Sequence, residues 1–205
     1  KIVAEVEENL RRLLADVPIA YVLGQWEFYG LPMLVSPKVL IPRDDTCALT
    51  ELAIRQGLFL DQDPRILDLC CGTGCVGLAI LKHVSDEIHG VFADLSEPAL
   101  EVARHNITAL HLTGRALAFQ SEAANPADQV LGRFQLIICN PPYIPTAEIS
   151  TLDIEVQKEP HMALDGGADG LDFYRLIAEK IVPSLDGGTR LLLEIGDEQG
   201  RAVQS

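Results

Sequence analysis

Arg65-Ile66-Leu67-Asp68-Leu69-Cys70-Cys71-Gly72-Thr73-Gly74-Cys75-Val76-Gly77 is the stretch whose reading decides the fold. Residues 65–69 read as a buried strand. The glycines that follow let the backbone turn sharply and lie close to a ligand before a helix starts near residue 74. Outward from this point the pattern alternates. A helix is expected over about 45–57, then strand 65–69, helix 74–84, strand 89–93, helix 97–109, strands 115–119 and 134–139, a helix over about 171–182, and a strand at 189–195. Such alternation predicts an α/β fold with a mostly parallel, doubly wound sheet, whose ligand crevice lies beyond the carboxyl ends of the strands.

Upstream of this pattern, Ile2, Val3, Val6, Leu10, Leu13, Leu14 and Val17 recur at helical spacing, so an amphipathic helix is expected from residue 2 to about 16, ended by Pro18. Residues 25–29 and 32–35 flank Gly30-Leu31 as a short hairpin, and Pro37, Pro42 and Arg43 make a stiff connector. Residues 1–43 then form an appendage to a domain over 44–205. The chain starts without Met and stops soon after an apolar strand, which suggests a piece of something longer.

The formal charge of −14 repels phosphate backbones, and Arg11-Arg12 is the only adjacent pair of basic residues, so tight binding to duplex nucleic acid is not expected. The five cysteines, Cys47, Cys70, Cys71, Cys75 and Cys139, lack paired C-x-x-C elements or spaced histidines. They read as reduced small hydrophobes in a cytoplasmic protein rather than a metal site. The uncharged stretch around the glycine loop is too short to span a bilayer, and no signal peptide opens the chain. A monomer is the default expectation.

Two carboxylates stand at strand ends near the loop. Twenty residues past Gly74 lies Asp94, where a carboxylate can take both hydroxyls of a ribose. Taken literally, Gly72-Thr73-Gly74-Cys75-Val76-Gly77 is also the G-x-G-x-x-G of a nicotinamide-binding fold, so an oxidoreductase is a competing reading. Asp68 tilts the choice, because a carboxylate there would repel a pyrophosphate but pair with a cationic ligand that carries an amino acid. S-adenosylmethionine has an ammonium, a sulfonium and a ribose: Asp68 and the loop backbone would take the methionine end and Asp94 the sugar. The bland alternatives are a turn-capping Asp68 and a helix-capping Asp94.

Asn140-Pro141-Pro142-Tyr143 follows the apolar run 134–139. Two prolines have fixed φ and no N–H, so the chain after Asn140 leaves the sheet ladder as a stiff, carbonyl-rich edge. The Asn140 side chain and the Pro141 carbonyl offer two acceptors to a planar NH2 group, and the Tyr143 ring can pack against the plane that carries it. This suits methylation of an amide or of an exocyclic amine, so an adenine amino-methyltransferase is a rival to an amide one. The alternative is a plain loop with a capping asparagine and a packed tyrosine.

Taken together, Leu23-Gly24-Gln25-Trp26-Glu27-Phe28-Tyr29-Gly30, Val39-Leu40-Ile41-Pro42-Arg43, Asp68 to Gly74, Asn140 to Tyr143, and Glu159-Pro160 through Ala163-Leu164-Asp165-Gly166-Gly167 to Gly170-Leu171-Asp172-Phe173-Tyr174 resemble the release-factor glutamine methyltransferases of HemK/PrmC type. The resemblance covers essentially the whole chain. It implies a class I S-adenosylmethionine-dependent methyltransferase domain, Rossmann-like, behind a helical amino-terminal domain and a β-hairpin linker. By the same comparison the first helices of the small domain, and the last helix and closing strands of the catalytic one, are missing. It further implies transfer of a methyl group to the glutamine amide in the Gly-Gly-Gln tip of class I peptide chain release factors, leaving S-adenosylhomocysteine.

Carried over residue by residue, the cofactor loop is Cys70, Cys71, Gly72, Thr73 and Gly74, with Asp68 before it, and Asp94 is the ribose acid. Asn140, Pro141, Pro142 and Tyr143 receive the glutamine, Asn140 also facing the cofactor. Departures from the family pattern are Cys70 for the first loop glycine, Asp44 and Cys47 in the connector, and Ala123 where an aromatic residue often lies near the adenine. Cysteine at the first loop position also occurs in a sister group that acts on a ribosomal protein. Glu159-Pro160 and the turn at Gly166-Gly167 read more simply as a helix stop and a tight turn before a helix near Leu171.

Overall fold

The computed structural model describes residues 2–58, 64–121, 133–185 and 187–204. Helix α1 spans Ile2–Leu14 and α2 Ile19–Leu23, followed by β1 (Gln25–Phe28), β2 (Leu31–Leu34) and α3 (Thr46–Gly57). Then come β3 (Arg65–Leu69), α4 (Cys75–His83), β4 (His89–Asp94), α5 (Glu97–Ala109), β5 (Ala116–Gln120) and β6 (Leu136–Cys139). Three 3-10 turns between residues 146 and 163 lead to α6 (Asp172–Lys180), β7 (Arg190–Leu193) and α7 (Gly200–Gln204).

The main sheet has the order β5-β4-β3-β6-β7, and every pairing in it is parallel. Its side chains alternate between two apolar layers. Ile66, Phe92, Leu136 and Ile138 pack with α4 and α5 on one face, while Leu67, Leu69, Val91, Ala93, Ile137 and Cys139 meet Ile177 and Ile181 on the other. This is the sandwiched sheet expected of a strand–helix alternation. The chain runs from β3 to β4 on one side and later to β6 on the other, so the switch point of the sheet lies between β3 and β6.

The register lines up the residues that leave the sheet at this edge. Leu69 pairs with Ala93 and with Cys139, and Cys139 pairs with Leu193. One residue further on, Asp94, Cys70, Asn140 and Glu194 therefore emerge side by side from four adjacent strands.

The hairpin docks on α5. Asn106, buried in that helix, accepts from Leu34 N at 2.7 Å and donates Nδ2 to Leu34 O at 3.2 Å and to Thr73 O at 3.0 Å. One amide thus ties the hairpin to the glycine loop. The turn differs from the expected Gly30-Leu31: strands β1 and β2 close over Tyr29-Gly30, both with positive φ (51° and 75°), and Leu31 already pairs with Phe28. A two-residue turn with both φ positive matches strand twist, which is why it wins.

Two further boundaries shift. The first helix stops at Leu14 because Asp16 adopts a left-handed φ of 57°, so Pro18, expected to end that helix, instead stands as the N-cap of the short helix α2. No residue of α1 is buried. Among the described residues no helix is long and apolar enough to cross a membrane, and no group of side chains is arranged to hold a metal ion. All five cysteines are free thiols.

Candidate active site

Strand β3 delivers Asp68 into a buried position, 4% exposed, where its Oδ2 accepts the Gly77 N–H at 2.9 Å. Gly77 sits in the first turn of α4 because nothing larger fits: a Cβ would stand 2.9 Å from Asp68 Oδ2 and would collide with the Phe92 ring. Burial pushes the Asp68 carboxyl up to about 8; the Gly77 hydrogen bond opposes that shift and the charge of Asp94 adds to it. The capping role considered from the sequence is thus real, yet Asp68 also lines a cavity at this edge of the sheet.

The loop after β3 coils through positive φ at Cys70 (52°), Gly72 (54°) and Gly74 (79°). Gly72 N donates to Asp94 Oδ2 at 2.9 Å, and Ser96 N donates to Asp94 Oδ1 at 2.9 Å. Asp94 is therefore held rigidly at the end of β4, with burial raising its carboxyl above the ordinary range. It does not cap α5: the N-cap is Ser96, whose hydroxyl accepts from Ala99 N at 3.3 Å.

A cavity of about 410 Å³ opens along this edge. Asp68, Cys70, Cys71, Gly72, Thr73 and Asp94 line it together with Asn140 and Pro142. Gly74 is not part of the lining and precedes α4 as its N-cap. Pro141 and Tyr143 stand outside the lining. Ala123 falls outside the described residues, while its neighbour Ser121 reaches the cavity wall.

Asn140 donates Nδ2 to Thr46 Oγ1 at 3.2 Å, and the half-buried Tyr143 donates its hydroxyl to Glu194 Oε1 at 3.3 Å. Burial, with Glu194 beside it, pushes the Tyr143 hydroxyl up to about 12. The chain after Tyr143 is bolted down by the segment whose sequence read as a simple turn. Ile144 and Asp165 form a bridge, Gly166 N donates to Ile144 O at 2.9 Å, and a Cβ on Gly166 would lie 2.7 Å from the Tyr143 Cα. The turn and the following helix are as expected; the glycines also give the Asn140 loop a surface to lie on.

Glu159, read as part of a helix stop, is buried: it accepts from Ile41 N at 2.8 Å and pairs with the Arg43 guanidinium. It clamps the connector before α3 over the cavity, where Pro160 and Met162 from its own segment also line the wall. Thr46, Glu159 and Glu194 were not picked out from the sequence as site residues.

The donor set fits a cationic, ribose-bearing ligand. A buried carboxyl kept largely protonated by its surroundings gains most from a positive charge, and a strand-end carboxylate with spare lone pairs suits two hydroxyls. Sheet order and switch-point crevice are those of a class I S-adenosylmethionine-dependent methyltransferase.

Comparison with known proteins agrees. Residues 51–157 match the family described as Methyltransferase small domain. The release factor glutamine methyltransferase of Bradyrhizobium diazoefficiens is 40% identical over 98% of this chain and 68% of its own length. That of Thermodesulfovibrio yellowstonii is 39% identical over 98% of this chain and 71% of its own, and that of Geobacter sulfurreducens 41% over 91% and 63%. The chain belongs to the release factor glutamine methyltransferase family and spans about two thirds of the length of these relatives. The nicotinamide reading of the glycine loop is thereby set aside. Among solved structures, the hMettl16 catalytic domain in complex with a MAT2A 3'UTR hairpin aligns with a TM-score of 0.66 at 14% identity, over 90% of this chain and 69% of that one. TrmN from Thermus thermophilus aligns at 0.54 and 18%, over 78% and 39%. At these identities the likeness is one of fold alone.

Proposed function

We propose that this enzyme methylates the side-chain amide nitrogen of the glutamine in a Gly-Gly-Gln segment of a class I peptide chain release factor, with S-adenosylmethionine as methyl donor. Family membership supports the reaction. The single observation that carries the residue assignment is that one cavity is lined by Asp68 and Asp94 and also by Asn140 and Pro142.

In this reading Asp68 and the loop Cys70, Cys71, Gly72, Thr73 and Gly74 hold the amino-acid end of the donor, and Asp94 holds the ribose. The donor supplies an electrophilic methyl on a sulfonium. An amide nitrogen is a poor nucleophile because its lone pair is delocalised into the carbonyl, so the chain's own contribution is orientation. Asn140 Oδ1 and the Pro141 carbonyl accept the two amide hydrogens, and Tyr143 flanks the flat group. Fixing the reactants in an attack geometry contributes roughly 7–11 kcal/mol, which a site of this kind uses in place of a strong base.

Residues 1–43 are assigned as appendage and hairpin linker, and 44–205 as the transferase domain. A cytoplasmic monomer with no hold on duplex nucleic acid completes the proposal, supported by the free thiols and the charge of −14. The test is incubation with labelled methyl donor and either purified release factor or ribosomal protein, followed by mass-spectrometric mapping. Label on the release-factor glutamine is expected; label confined to a ribosomal protein overturns the assignment.

A further inference from the structure

Glu194 stands where the reading above gives it no task. It follows β7 directly, and the parallel register places it beside Asn140, with Glu194 N donating to Cys139 O at 3.0 Å and Glu194 O accepting from the Tyr174 hydroxyl at 2.8 Å. Its backbone is therefore fixed at both polar ends. Its carboxylate points at the acceptor loop: Oε1 takes the Tyr143 hydroxyl, while Oε2 is buried with no hydrogen-bond partner among the described residues. Burial raises this carboxyl, and Thr46, Tyr143 and Asn140 all oppose that shift as donors, although only Tyr143 meets it with full hydrogen-bond geometry. A buried carboxylate oxygen that lacks a well-formed hydrogen bond is costly, and calls for a reason.

Thr46 supplies the second half. It is 2% exposed, its N donates to Arg43 O at 3.2 Å and its O accepts the Thr50 hydroxyl at 2.9 Å, so the residue is fixed at the start of α3. Its hydroxyl oxygen accepts the Asn140 Nδ2–H, and Thr46 also lines the cavity. An asparagine amide has one donating and one accepting end. With Nδ2 engaged by Thr46, the end left for a ligand is the acceptor Oδ1. The opposite flip would set N–H groups against the N–H groups of an incoming glutamine.

We propose that Thr46 and Glu194 are positioning residues of methyl transfer: Thr46 sets which end of Asn140 is offered to the acceptor amide, and Glu194 anchors Tyr143 and closes the polar row behind it. This rests on the roles proposed above for Asn140 and Tyr143. The carboxylate draws donors on the loop after β6 and on α3 towards one point, and so couples the acceptor cradle to the end of the sheet.

Thr46→Val, Thr46→Ser and Glu194→Ala separate this from a merely structural role. Thr46→Val and Glu194→Ala should each lower kcat for release-factor methylation roughly 10- to 100-fold, as small misplacements of reacting groups do. S-adenosylmethionine affinity by calorimetry should stay within about twofold, since neither residue is assigned to the donor. Thr46→Ser, which keeps the hydroxyl, should restore most of kcat. The side-chain amide 1H–15N pair of Asn140, identified by its loss in Asn140→Asp, should shift in Thr46→Val but not in Thr46→Ser. Wild-type kcat in Thr46→Val and Glu194→Ala, or an unmoved Asn140 resonance in Thr46→Val, would overturn the proposal. Failure of the wild-type enzyme to label the release factor would instead sink the substrate assignment, and the resonance would still report on the Thr46 contact.

Discussion

The Gly77 amide donates to Asp68 Oδ2 at 2.9 Å, so the carboxylate that lines the cavity is also the group that fastens β3 to the first turn of α4. In the proposed reading, helix packing and donor binding share this one side chain. A methyl group at residue 77 would meet that oxygen at 2.9 Å and strike the Phe92 ring. Gly77→Ala should therefore destabilise the fold by roughly 1–3 kcal/mol, as overpacking does. It should weaken cofactor binding as well. Denaturant unfolding together with calorimetry checks both, and a stable variant with unchanged cofactor affinity would contradict the shared role.

Asp68 should make donor binding pH-dependent. Its carboxyl is pushed up to about 8 by burial, above the ordinary value of an exposed aspartate. Between about pH 4 and 8 the folded apo protein holds a proton there that the unfolded chain has lost, so this group favours the fold at low pH and the contribution fades as pH rises through about 8. A cationic ligand favours the ionised form, so binding should release a proton and tighten from pH 6 to pH 8. Calorimetry in buffers of different ionisation enthalpy reads the proton directly. Asp68→Asn should abolish the release, and a proton count unaffected by that substitution would contradict the assignment.

Cys70 holds a left-handed φ of 52° at the position where the family pattern has glycine. For a residue with a Cβ this conformation costs about 1–2 kcal/mol, partly offset by the greater freedom glycine has to lose on folding. Cys70→Gly should thus stabilise the protein by about 0.5–1 kcal/mol, while Cys70→Ala should not. Urea midpoints of the two variants decide it.

Much of this architecture was legible because it is local. The strand 65–69 and the helix 97–109 both form as read, the strand on the signal of a short apolar run before glycines; the cap of the helix is Ser96, where the sequence reading had considered Asp94. Asp68 and Asp94 were legible for the same reason: Asp68 lies one residue before the end of the apolar strand 65–69, and Asp94 directly follows the run read as 89–93. Glu194 stands just as near the end of the strand read as 189–195, but no motif beside it pointed to a ligand; β7 itself stops at Leu193. Thr46 and Glu159 gave no local sign. Thr46 reaches Asn140 across 94 residues and Glu159 reaches Ile41 across 118, contacts fixed only when the sheet register and the connector close together. The turn at Tyr29-Gly30 was misplaced by one residue because a non-glycine at positive φ leaves no mark in composition.

Division of labour within one cavity is tested most directly by comparing Asn140→Ala with Asp94→Ala, each measured for cofactor affinity and for turnover of release factor. Expected for Asn140→Ala is a loss of about 10²–10³ in kcat with cofactor affinity intact, by analogy with deleting one preorganised polar partner of a transition state. Asp94→Ala should chiefly lose affinity, since a ribose contact persists through the reaction. Near-normal methylation by a folded Asn140→Ala enzyme would contradict delivery of the methyl group to that asparagine.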